Sequence, residues 1–257
     1  MMVEQTKYGF LIPVYNHGKE LYEVLKNLEV FSLPFIIIDD GSDQETKNHL
    51  QKICEIYPRV NLVELPQNTG KGGAVSAGIH YAFHQGYSHV FQIDADGQHD
   101  TSCCTIFLEH SYRFPQALIC GEPVYDETVP KSRLNGRKIG NTWVKIITWS
   151  QDIRDAMCGF RIYPVNPCEQ VISRTSLIDK RMGFDLEILI RLKWKNLALI
   201  YLPVKVTYPE NGISHYHLVR DNVRLSIMFT RTFFGMLLRI PIIIARKIMK
   251  RKRSNER

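Results

Sequence analysis

Two acidic residues that directly follow a predicted buried strand constrain this chain more than any other feature. The apolar residues of His89–Ile93 favour a pleated, covered surface, so they predict the strand. Asp94, Asp96 and Gly97 follow at once. Because residues two apart in an extended chain face the same way, both carboxylates point to one place just beyond the strand end.

The spacing of Asp94 and Asp96 predicts a bound cation. Two like charges held so close repel each other unless a cation lies between them or one of them is protonated. Hard divalent cations prefer oxygen ligands, and Mg²⁺ usually completes its shell with phosphate oxygens of the substrate. The pair therefore predicts a Mg²⁺ or Mn²⁺ site that holds a phosphate-bearing substrate. A solvated polar turn is the alternative that the pair alone leaves open.

Strand and helix patterns alternate through the first half of the chain. Apolar runs at Tyr8–Val14, Phe35–Ile38 and Val60–Leu65 predict further buried strands with helical spacing between them. The alternation predicts an α/β fold with a mostly parallel, doubly wound sheet. Ligands of such sheets bind beyond the carboxyl ends of the strands. The polar clusters of this chain fall at those ends, at 13–18, 39–43 and 94–100.

A glycine-rich loop, Asn68-Thr-Gly70-Lys71-Gly72-Gly73, precedes a predicted helix. It is not a P-loop, because that motif needs glycine where Leu65 stands and Ser or Thr where Gly72 stands. A helix N-terminus favours anions, so the loop predicts that Lys71 lies near phosphate. A loop with a purely structural role is the alternative.

Taken in order, these segments resemble the motifs of family 2 glycosyltransferases, and most closely the dolichol- and polyprenyl-phosphate sugar synthase branch. The resemblance covers roughly residues 7–215. It implies a GT-A (nucleotide-diphospho-sugar transferase) fold, a UDP- or GDP-sugar donor, a divalent metal and inversion at the anomeric carbon. The matching segments are Pro13-Val-Tyr15-Asn16, Ile38-Asp39-Asp40-Gly41-Ser42, Asn68-Thr-Gly70-Lys71-Gly72 and Asp94-Ala-Asp96-Gly97-Gln98-His99.

The resemblance also implies roles for particular residues of the donor site. Asp39 or Asp40 would accept hydrogen bonds from the base and ribose. Asp94 and Asp96 would hold the metal and the diphosphate, with Gln98 as a further metal ligand. The full nucleotide-sugar site would comprise Pro13, Tyr15, Asn16, Asp39, Asp40, Lys71, Asp94, Ala95 and Asp96.

Two acidic residues in the second half are candidates for a catalytic base. Asp155 opens a segment that resembles the family's Asp-x-x-x-Gly-Phe-Arg block, and Glu187 is its rival. Asp185 stands near the start of the same predicted helix as Glu187, where capping explains it equally well. A hydroxyl acceptor needs a carboxylate to take its proton, whereas a lipid phosphate is already anionic and needs no base.

The expected acceptor site depends on cationic and polar residues of the second half. Arg133 and Arg137 belong to a basic segment that forms either a cradle for an anionic acceptor or a solvated loop. Arg161 completes the Gly-Phe-Arg segment. Ser214 matches the Gly-x-Ser-Lys pattern of the polyprenyl-phosphate branch, but His215 replaces its lysine. This departure weakens the assignment of a phosphate acceptor and leaves His215 open as a metal or diphosphate ligand.

The C-terminal stretch combines apolar helical spacing with positive charge. The chain carries a net charge of +7, and residues 239–257 hold eight Lys/Arg against one Glu, which accounts for all of it. We therefore expect a GT-A domain over 1–218 and an amphipathic, basic, membrane-associating tail over 219–257, kinked at Pro241. A core-packing helix with a solvated tail is the alternative.

These observations predict a metal-dependent inverting glycosyltransferase that transfers a sugar to a lipid-linked or polyprenyl-phosphate acceptor. No run of 18 apolar residues occurs, so we expect a cytoplasmic protein held peripherally at the inner membrane face. The basic tail comes without a nucleic-acid recognition motif, so no nucleic-acid partner is expected. The alternatives are a catalytically inactive membrane scaffold with the same fold and a nucleotidyltransferase that makes nucleotide sugars.

Overall fold

The computed structural model describes residues 6–125, 129, 131–206 and 218–255, without the side chains of 131–133, 218 and 250–255. Within these residues, seven strands form one sheet. The strands are β1 (Tyr8–Val14), β2 (Phe35–Asp39), β3 (Val60–Glu64), β4 (His89–Gln92), β5 (Ala117–Tyr125), β6 (Arg161–Pro164) and β7 (Ala198–Val206).

Helices connect the strands and cover both faces of the sheet. Two short 3₁₀ turns, Glu29–Phe31 and Thr101–Cys103, accompany them. The α-helices are α1 (Gly18–Leu28), α2 (Gln44–Ile56), α3 (Lys71–His84), α4 (Cys104–Arg113), α5 (Lys131–Thr148), α6 (Val165–Ser173), α7 (Phe184–Trp194), α8 (Leu218–Leu237) and α9 (Ile240–Asn255).

The strand order is β3-β2-β1-β4-β6-β5-β7. The first four of these strands run parallel, as do β5 and β7. The short strand β6 lies antiparallel between β4 and β5. The predicted α/β fold with a mostly parallel sheet is therefore confirmed, whereas β6 was not predicted, because its four residues include an arginine and a proline.

Two apolar layers hold the sheet between the helices. Alternate residues of β1 enter different layers, since Leu11 packs with one cluster and Phe10 and Ile12 with the other. In β2, Ile36 and Ile38 join the layer of Leu11. A strand that is covered on both faces needs apolar residues at every position, which explains the continuous apolar runs in the sequence.

The segment expected as a basic loop is the helix α5. Turn-forming residues suggested the loop, but Asn135 and Gly136 are exposed on this helix, where a Cβ on Gly136 would meet nothing within 4 Å. On its inner face Gly140, Val144 and Ile147 are buried at helical spacing. The solvated loop, one of the two alternatives that the sequence left open, is wrong, because the turn residues masked this periodicity.

The C-terminal helices α8 and α9 meet at a sharp bend of 62°. The break lies between Leu237 and Ile240, just before the expected kink at Pro241. Proline lacks a backbone N–H and fits the first turn of a helix, where that group has no partner within the helix. Within the described residues no single helix has the length and apolar character to cross a membrane, although this bent pair together has both.

Candidate active site

Three strand ends and the glycine-rich loop meet at one edge of the sheet. β1 and β2 end side by side, with Val14 opposite Asp39. After β4, Ile93 donates to the carbonyl of Leu11 at 3.0 Å, which directs the following acidic segment past the end of β1. The predicted convergence of the polar clusters follows from this parallel arrangement.

Asp40 fixes the glycine-rich loop and has no acceptor capacity to spare. Its carboxylate accepts from the backbone N–H groups of Thr69 at 2.7 Å and Gly70 at 2.8 Å. It also accepts from the side chains of Thr69 at 2.7 Å and Asn68 at 3.1 Å. These bonds give the buried Asp40 a structural role. Of the two acids at this strand end, Asp39 is therefore the better candidate for binding a ligand.

Asp39 keeps an acceptor atom without a partner. Its Oδ1 accepts from the backbone N–H of Ser42 at 3.0 Å. Its Oδ2 is buried and has no hydrogen-bond partner among the described residues. A buried acceptor without a donor is costly, so this atom fits a site at which a ligand supplies an N–H or O–H group.

The segment after β1 joins the same edge. Asn16 adopts a left-handed backbone conformation (φ 57°). Its Oδ1 accepts from the backbone of Asp43 at 3.0 Å, and its own N–H donates to Ser42 Oγ at 3.2 Å. Pro13 and Tyr15 are half-buried beside it. Asn16 thus links the turns that follow β1 and β2.

Lys71 lies between two carboxylates at the start of α3. Its Nζ is 2.7 Å from Asp94 Oδ2 and 3.6 Å from Asp185 Oδ2. Burial lowers the pKa of Lys71, but these two carboxylates outweigh burial and raise it above its ordinary value. A Cβ on Gly159 would lie 2.6 Å from Lys71 Nζ and 3.1 Å from Asp94 Oδ2, so the backbone there approaches the ion pair closely.

The two acids of the Asp-x-Asp pair differ in their surroundings. Burial raises the pKa of Asp94, but the charge of Lys71 outweighs burial and the pKa lies below its ordinary value. Burial and the charge of Asp94 raise the pKa of Asp96. Asp96 Oδ1 accepts from the backbone N–H of Gln98 at 3.0 Å, and no side-chain cation bonds to Asp96 among the described residues. Asp96 is therefore the acid whose charge most needs a cation.

This donor set fits a divalent cation that is shared with a phosphate ligand. Asp96 offers a carboxylate without a cationic partner, Asp94 lies beside it, and the buried Ala95 separates the two. Among the described residues, no three His, Cys, Asp or Glu side chains converge on one metal position. Mg²⁺ often takes only one or two protein carboxylates and obtains its other ligands from water and phosphate, so two carboxylates are sufficient.

Asp155 is buried in an ion pair with Arg137. Its carboxylate accepts from Arg137 Nε at 2.5 Å and Nη2 at 3.1 Å, and from the backbone N–H groups of Met157 at 3.0 Å and Cys158 at 2.7 Å. Burial raises the pKa of Asp155, but Arg137 outweighs burial and lowers it. A carboxylate held in this way is a weak base, and its arginine is not free to hold an acceptor.

Glu187 and Arg161 are also occupied by internal partners. Glu187 is fully buried and pairs with Arg191 and Arg231, each at 2.6 Å. Arg161 is fully buried and donates to the backbone carbonyls of Asp185 and Ala156, each at 2.8 Å. The geometry favours structural roles for both residues in place of the base and acceptor roles expected from the sequence.

The other expected acceptor residues lie beyond what the structure describes. Ser214 and His215 fall outside the described residues, and Arg133 lies in the first turn of α5 with its side chain outside them.

Four residues that were not among the expected site residues border the site. Gln92 Nε2 lies 3.5 Å from Asp94 Oδ1. His99 is 3.8 Å from Cys158 Sγ through its Nε2, and its Nδ1 has no partner among the described residues. Gly159 and Asp185 flank Lys71. Gln92 is a polar residue in an apolar strand, and the other three lie in segments that the sequence analysis names. The contacts themselves join segments that are distant along the chain, so the sequence did not predict them.

A parallel sheet with an acidic pair at its carboxyl edge places the chain among the GT-A folds, and solved structures have the same fold. Glucosyl-3-phosphoglycerate synthase from Mycobacterium tuberculosis, in complex with Mn²⁺, UDP-glucose and phosphoglyceric acid, superposes with a TM-score of 0.63 at 14% identity, over 90% of this chain and 80% of that one. S. aureus TarS in complex with UDP-GlcNAc gives a TM-score of 0.60 at 14% identity, over 88% and 66%. The predicted GT-A fold is confirmed.

The family model described as Glycosyl transferase family 2 matches residues 10–172, and the chain belongs to this family. A dolichyl-phosphate beta-glucosyltransferase from Trichomonas vaginalis is 26% identical over 214 residues, which cover 77% of this chain and 64% of the relative. The human dolichyl-phosphate beta-glucosyltransferase is 28% identical, over 79% and 68%. The chain thus spans about two thirds of the length of these relatives.

An archaeal relative is matched over most of its length. The UDP-N-acetylglucosamine–dolichyl-phosphate N-acetylglucosaminyltransferase of Methanococcus voltae is 26% identical over 220 residues, which cover 79% of this chain and 87% of that protein. The resemblance to the polyprenyl-phosphate sugar synthase branch is confirmed by these relatives.

Proposed function

We propose that this protein transfers a sugar, with inversion, from a UDP- or GDP-sugar to a polyprenyl-phosphate type of lipid acceptor, with the help of Mg²⁺ or Mn²⁺. Membership of glycosyl transferase family 2 supports transfer, and relatives named for dolichyl phosphate support the acceptor class. The observation that carries the proposal is one edge of the sheet, beside the pair of Lys71 and Asp94. There, among the described residues, Asp39 Oδ2 has no hydrogen-bond partner and Asp96 bonds to no side-chain cation.

The donor would lie along this edge. Asp39 Oδ2 would accept from the base or ribose, because this buried oxygen receives no hydrogen bond from the described residues. The diphosphate would lie against Lys71 and the N-terminus of α3, where the charge of Lys71 and the helix dipole favour anions. Pro13, Tyr15 and Asn16 would line the nucleotide from the neighbouring turn.

Asp94 and Asp96 would hold the divalent cation, and the side chain of Gln98 would be a further ligand. When bound, such a cation stabilises the negative charge that develops on the leaving nucleoside diphosphate. Lys71 adds a fixed positive charge on the same side. The protein's own contribution is to keep these charges in place before the donor arrives.

The state of the two candidate bases favours a phosphate acceptor over a hydroxyl acceptor. Asp155 and Glu187 are both buried and both paired with arginine, so neither is prepared to take a proton. A lipid phosphate is already anionic at neutral pH and attacks without a base.

The lipid part of such an acceptor requires contact with a membrane, and the C-terminal helices offer a surface for it. Val219, Val223, Ile227 and Phe234 are exposed along α8 at helical spacing. Ile242 and Ile248 are exposed on α9, which also carries basic residues. Apolar side chains combined with cationic charge suit the surface of an anionic membrane, so we expect peripheral contact there.

A transfer assay tests the proposal. The purified protein is incubated with a polyprenyl phosphate in detergent, Mn²⁺ and, in turn, UDP-glucose, UDP-N-acetylglucosamine and GDP-mannose. The expected result is a glycosylated lipid phosphate from at least one donor, whose anomeric configuration by NMR is opposite to that of the donor. Absence of product with every donor, or retention of configuration, would contradict the proposal.

A further inference from the structure

A cleft lined by positive charge lies beside the glycine-rich loop and has no assigned role. Its volume is about 430 Å³, and it is bounded by Thr69, the segment 176–181 and one side of α8. Four cationic side chains line it against one acid, Asp179. The cations are Lys180, Arg181, Arg224 and Arg231.

Two of these arginines each have a buried nitrogen without a hydrogen-bond partner among the described residues. Arg231 binds Glu187 through Nη2, yet its buried Nε has no hydrogen-bond partner among the described residues. The buried Nη1 of Arg224 likewise has none, and the nearest acid on its own helix is Asp221 at 3.9 Å. The one acid of the cleft, Asp179, uses its Oδ1 to accept from the backbone N–H of Arg181 at 2.7 Å. The cleft is therefore built for an anion.

The cleft is tied to the loop that carries Lys71. Gly73 donates to the carbonyl of Lys180 at 2.8 Å, and Arg181 Nη1 donates to Asn68 Oδ1 at 3.0 Å. The same loop is held from the other side by Asp40. Thr69 of this loop also lines the cleft, so the cleft adjoins the loop that carries Lys71.

An apolar groove continues from the cleft along α8. A second cavity of about 530 Å³ shares Ile227 and Arg231 with the cleft. Val223 lines this groove one helical turn before Ile227, and Val219 is exposed a further turn away. A charged cleft that opens into an apolar groove matches a ligand with an anionic head and a hydrocarbon chain.

We propose that this cleft binds the phosphate of the lipid acceptor and that the groove along α8 takes the beginning of its hydrocarbon chain. The inference rests on the proposed function and adds to the acceptor residues expected from the sequence, three of which have side chains outside the described residues. Arg137 cannot leave Asp155 without leaving a buried carboxylate unpaired. Arg161 is fully buried and donates to two backbone carbonyls, whereas Lys180 and Arg224 are at least partly exposed.

The test removes single charges from the cleft and from a matched place outside it. Lys180→Gln and Arg224→Gln are made singly and together, since both side chains are at least partly exposed. Lys138→Gln is the control, because Lys138 is exposed on α5 next to Arg137. For each protein, KM is measured separately for a polyprenyl phosphate and for the nucleotide sugar. Binding of the polyprenyl phosphate, and of inorganic phosphate, is measured by calorimetry without donor.

Each single variant is expected to weaken lipid-phosphate binding about 10-fold, and the double variant about 100-fold, as for lost hydrogen bonds to a charged group. KM for the donor stays within about 2-fold, and the control behaves as the wild type. Inorganic phosphate binds far more weakly than the lipid phosphate, because it does not fill the groove. If the double variant does not fold, Lys180→Gln alone gives the same comparison.

Three results would overturn the inference. Unchanged lipid-phosphate binding in both cleft variants would exclude the cleft as the acceptor site. An equal loss of lipid-phosphate binding in Lys138→Gln would instead place the acceptor site at α5. A rise in KM for the nucleotide sugar with unchanged lipid binding would assign the cleft to the donor. If the wild-type protein transfers sugar to no lipid phosphate, the proposed function itself fails, and this outcome is distinct from the other three.

Discussion

The two ends of the site differ in how far their charged groups are already satisfied. At the edge proposed for the donor, Asp39 Oδ2 has no hydrogen-bond partner and Asp96 no bonded side-chain cation among the described residues, and the pKa of Asp96 is raised by burial and by Asp94. In the second half, Asp155 and Glu187 are each enclosed by arginine and backbone N–H groups. An acid with open acceptor capacity is suited to a ligand, whereas an acid whose acceptors are all used stabilises the fold.

The largest expected effect is a loss of turnover on substitution of Asp96, at the edge proposed for the donor. Asp96→Asn removes the charge that would hold the cation, so we expect kcat to fall about 10³-fold, as for the loss of a main electrostatic contact in a transition state. The melting temperature stays near that of the wild type, because among the described residues Asp96 accepts one hydrogen bond, from the backbone N–H of Gln98 in its own turn. Glu109→Gln, an exposed charge loss on α4, serves as control. Near-normal turnover in Asp96→Asn would remove the metal role.

Asp155→Asn is expected mainly to lower the free energy of unfolding. The substitution leaves Arg137 buried without its counter-charge, which costs about 3 kcal/mol of unfolding free energy. Chemical denaturation of both proteins at pH 7 measures this difference. An unchanged free energy of unfolding combined with a large loss of kcat would show that Asp155 is a base after all.

The same pair predicts a pH dependence of stability. Because Arg137 lowers the pKa of Asp155 in the folded protein, the ion pair stabilises the fold above the unfolded pKa of about 4. That stability is lost as the pH falls from about 4 through the folded pKa. The difference in unfolding free energy between wild type and Asp155→Asn should therefore be constant from about pH 6 to 8 and shrink below about pH 4. A difference that is independent of pH down to about 3 would contradict the ion-pair account.

Asp39→Asn is expected to weaken binding of the nucleotide-sugar donor, with little effect on the stability of the fold. The amide keeps one oxygen for the N–H of Ser42 but presents an NH₂ group where the ligand's donor should bind. We expect KM for the nucleotide sugar to rise about 10-fold, equivalent to about 1.4 kcal/mol. Unchanged donor KM in this variant would place the nucleotide elsewhere.

The smallest predicted effect contrasts two glycines. Gly136 is exposed on α5 with open space around its Cβ position, so Gly136→Ala should stabilise the protein by about 0.5–1 kcal/mol. Gly159→Ala would instead push against Lys71 Nζ and weaken donor binding. Thermal melting and donor titration of the two variants separate these effects. A destabilised Gly136→Ala would contradict the exposed, open position of Gly136 on α5.

Local sequence pattern was enough to predict the edge of the sheet at which the polar clusters meet. β1, β2 and β4 each combine an apolar run with a polar end, so both the parallel sheet and the convergence of Asp39, Asp94 and Lys71 could be expected from adjacent residues.

The rest depends on partners that lie far apart along the chain. Asp40 accepts a hydrogen bond from the N–H of Gly70, 30 residues away, and Glu187 accepts one from Arg231, 44 residues away. No local motif predicts such a pairing. From the sequence, acids whose carboxylate oxygens are all hydrogen-bonded within the fold therefore could not be told from acids that still have an oxygen available for a ligand. α5 was missed for a related reason, because its buried face is defined by contacts with the core and its exposed face carries Asn135 and Gly136.

The most direct test of the open donor edge is a titration of the wild-type protein with UDP- and GDP-sugars, with and without Mn²⁺, followed by thermal unfolding. A ligand that binds the folded state stabilises it by about 2.7 kcal/mol at 100 times its Kd. The account predicts stabilisation by one nucleotide class that depends on Mn²⁺ and is lost in Asp96→Asn. No stabilisation by any nucleotide sugar at millimolar concentration would contradict it.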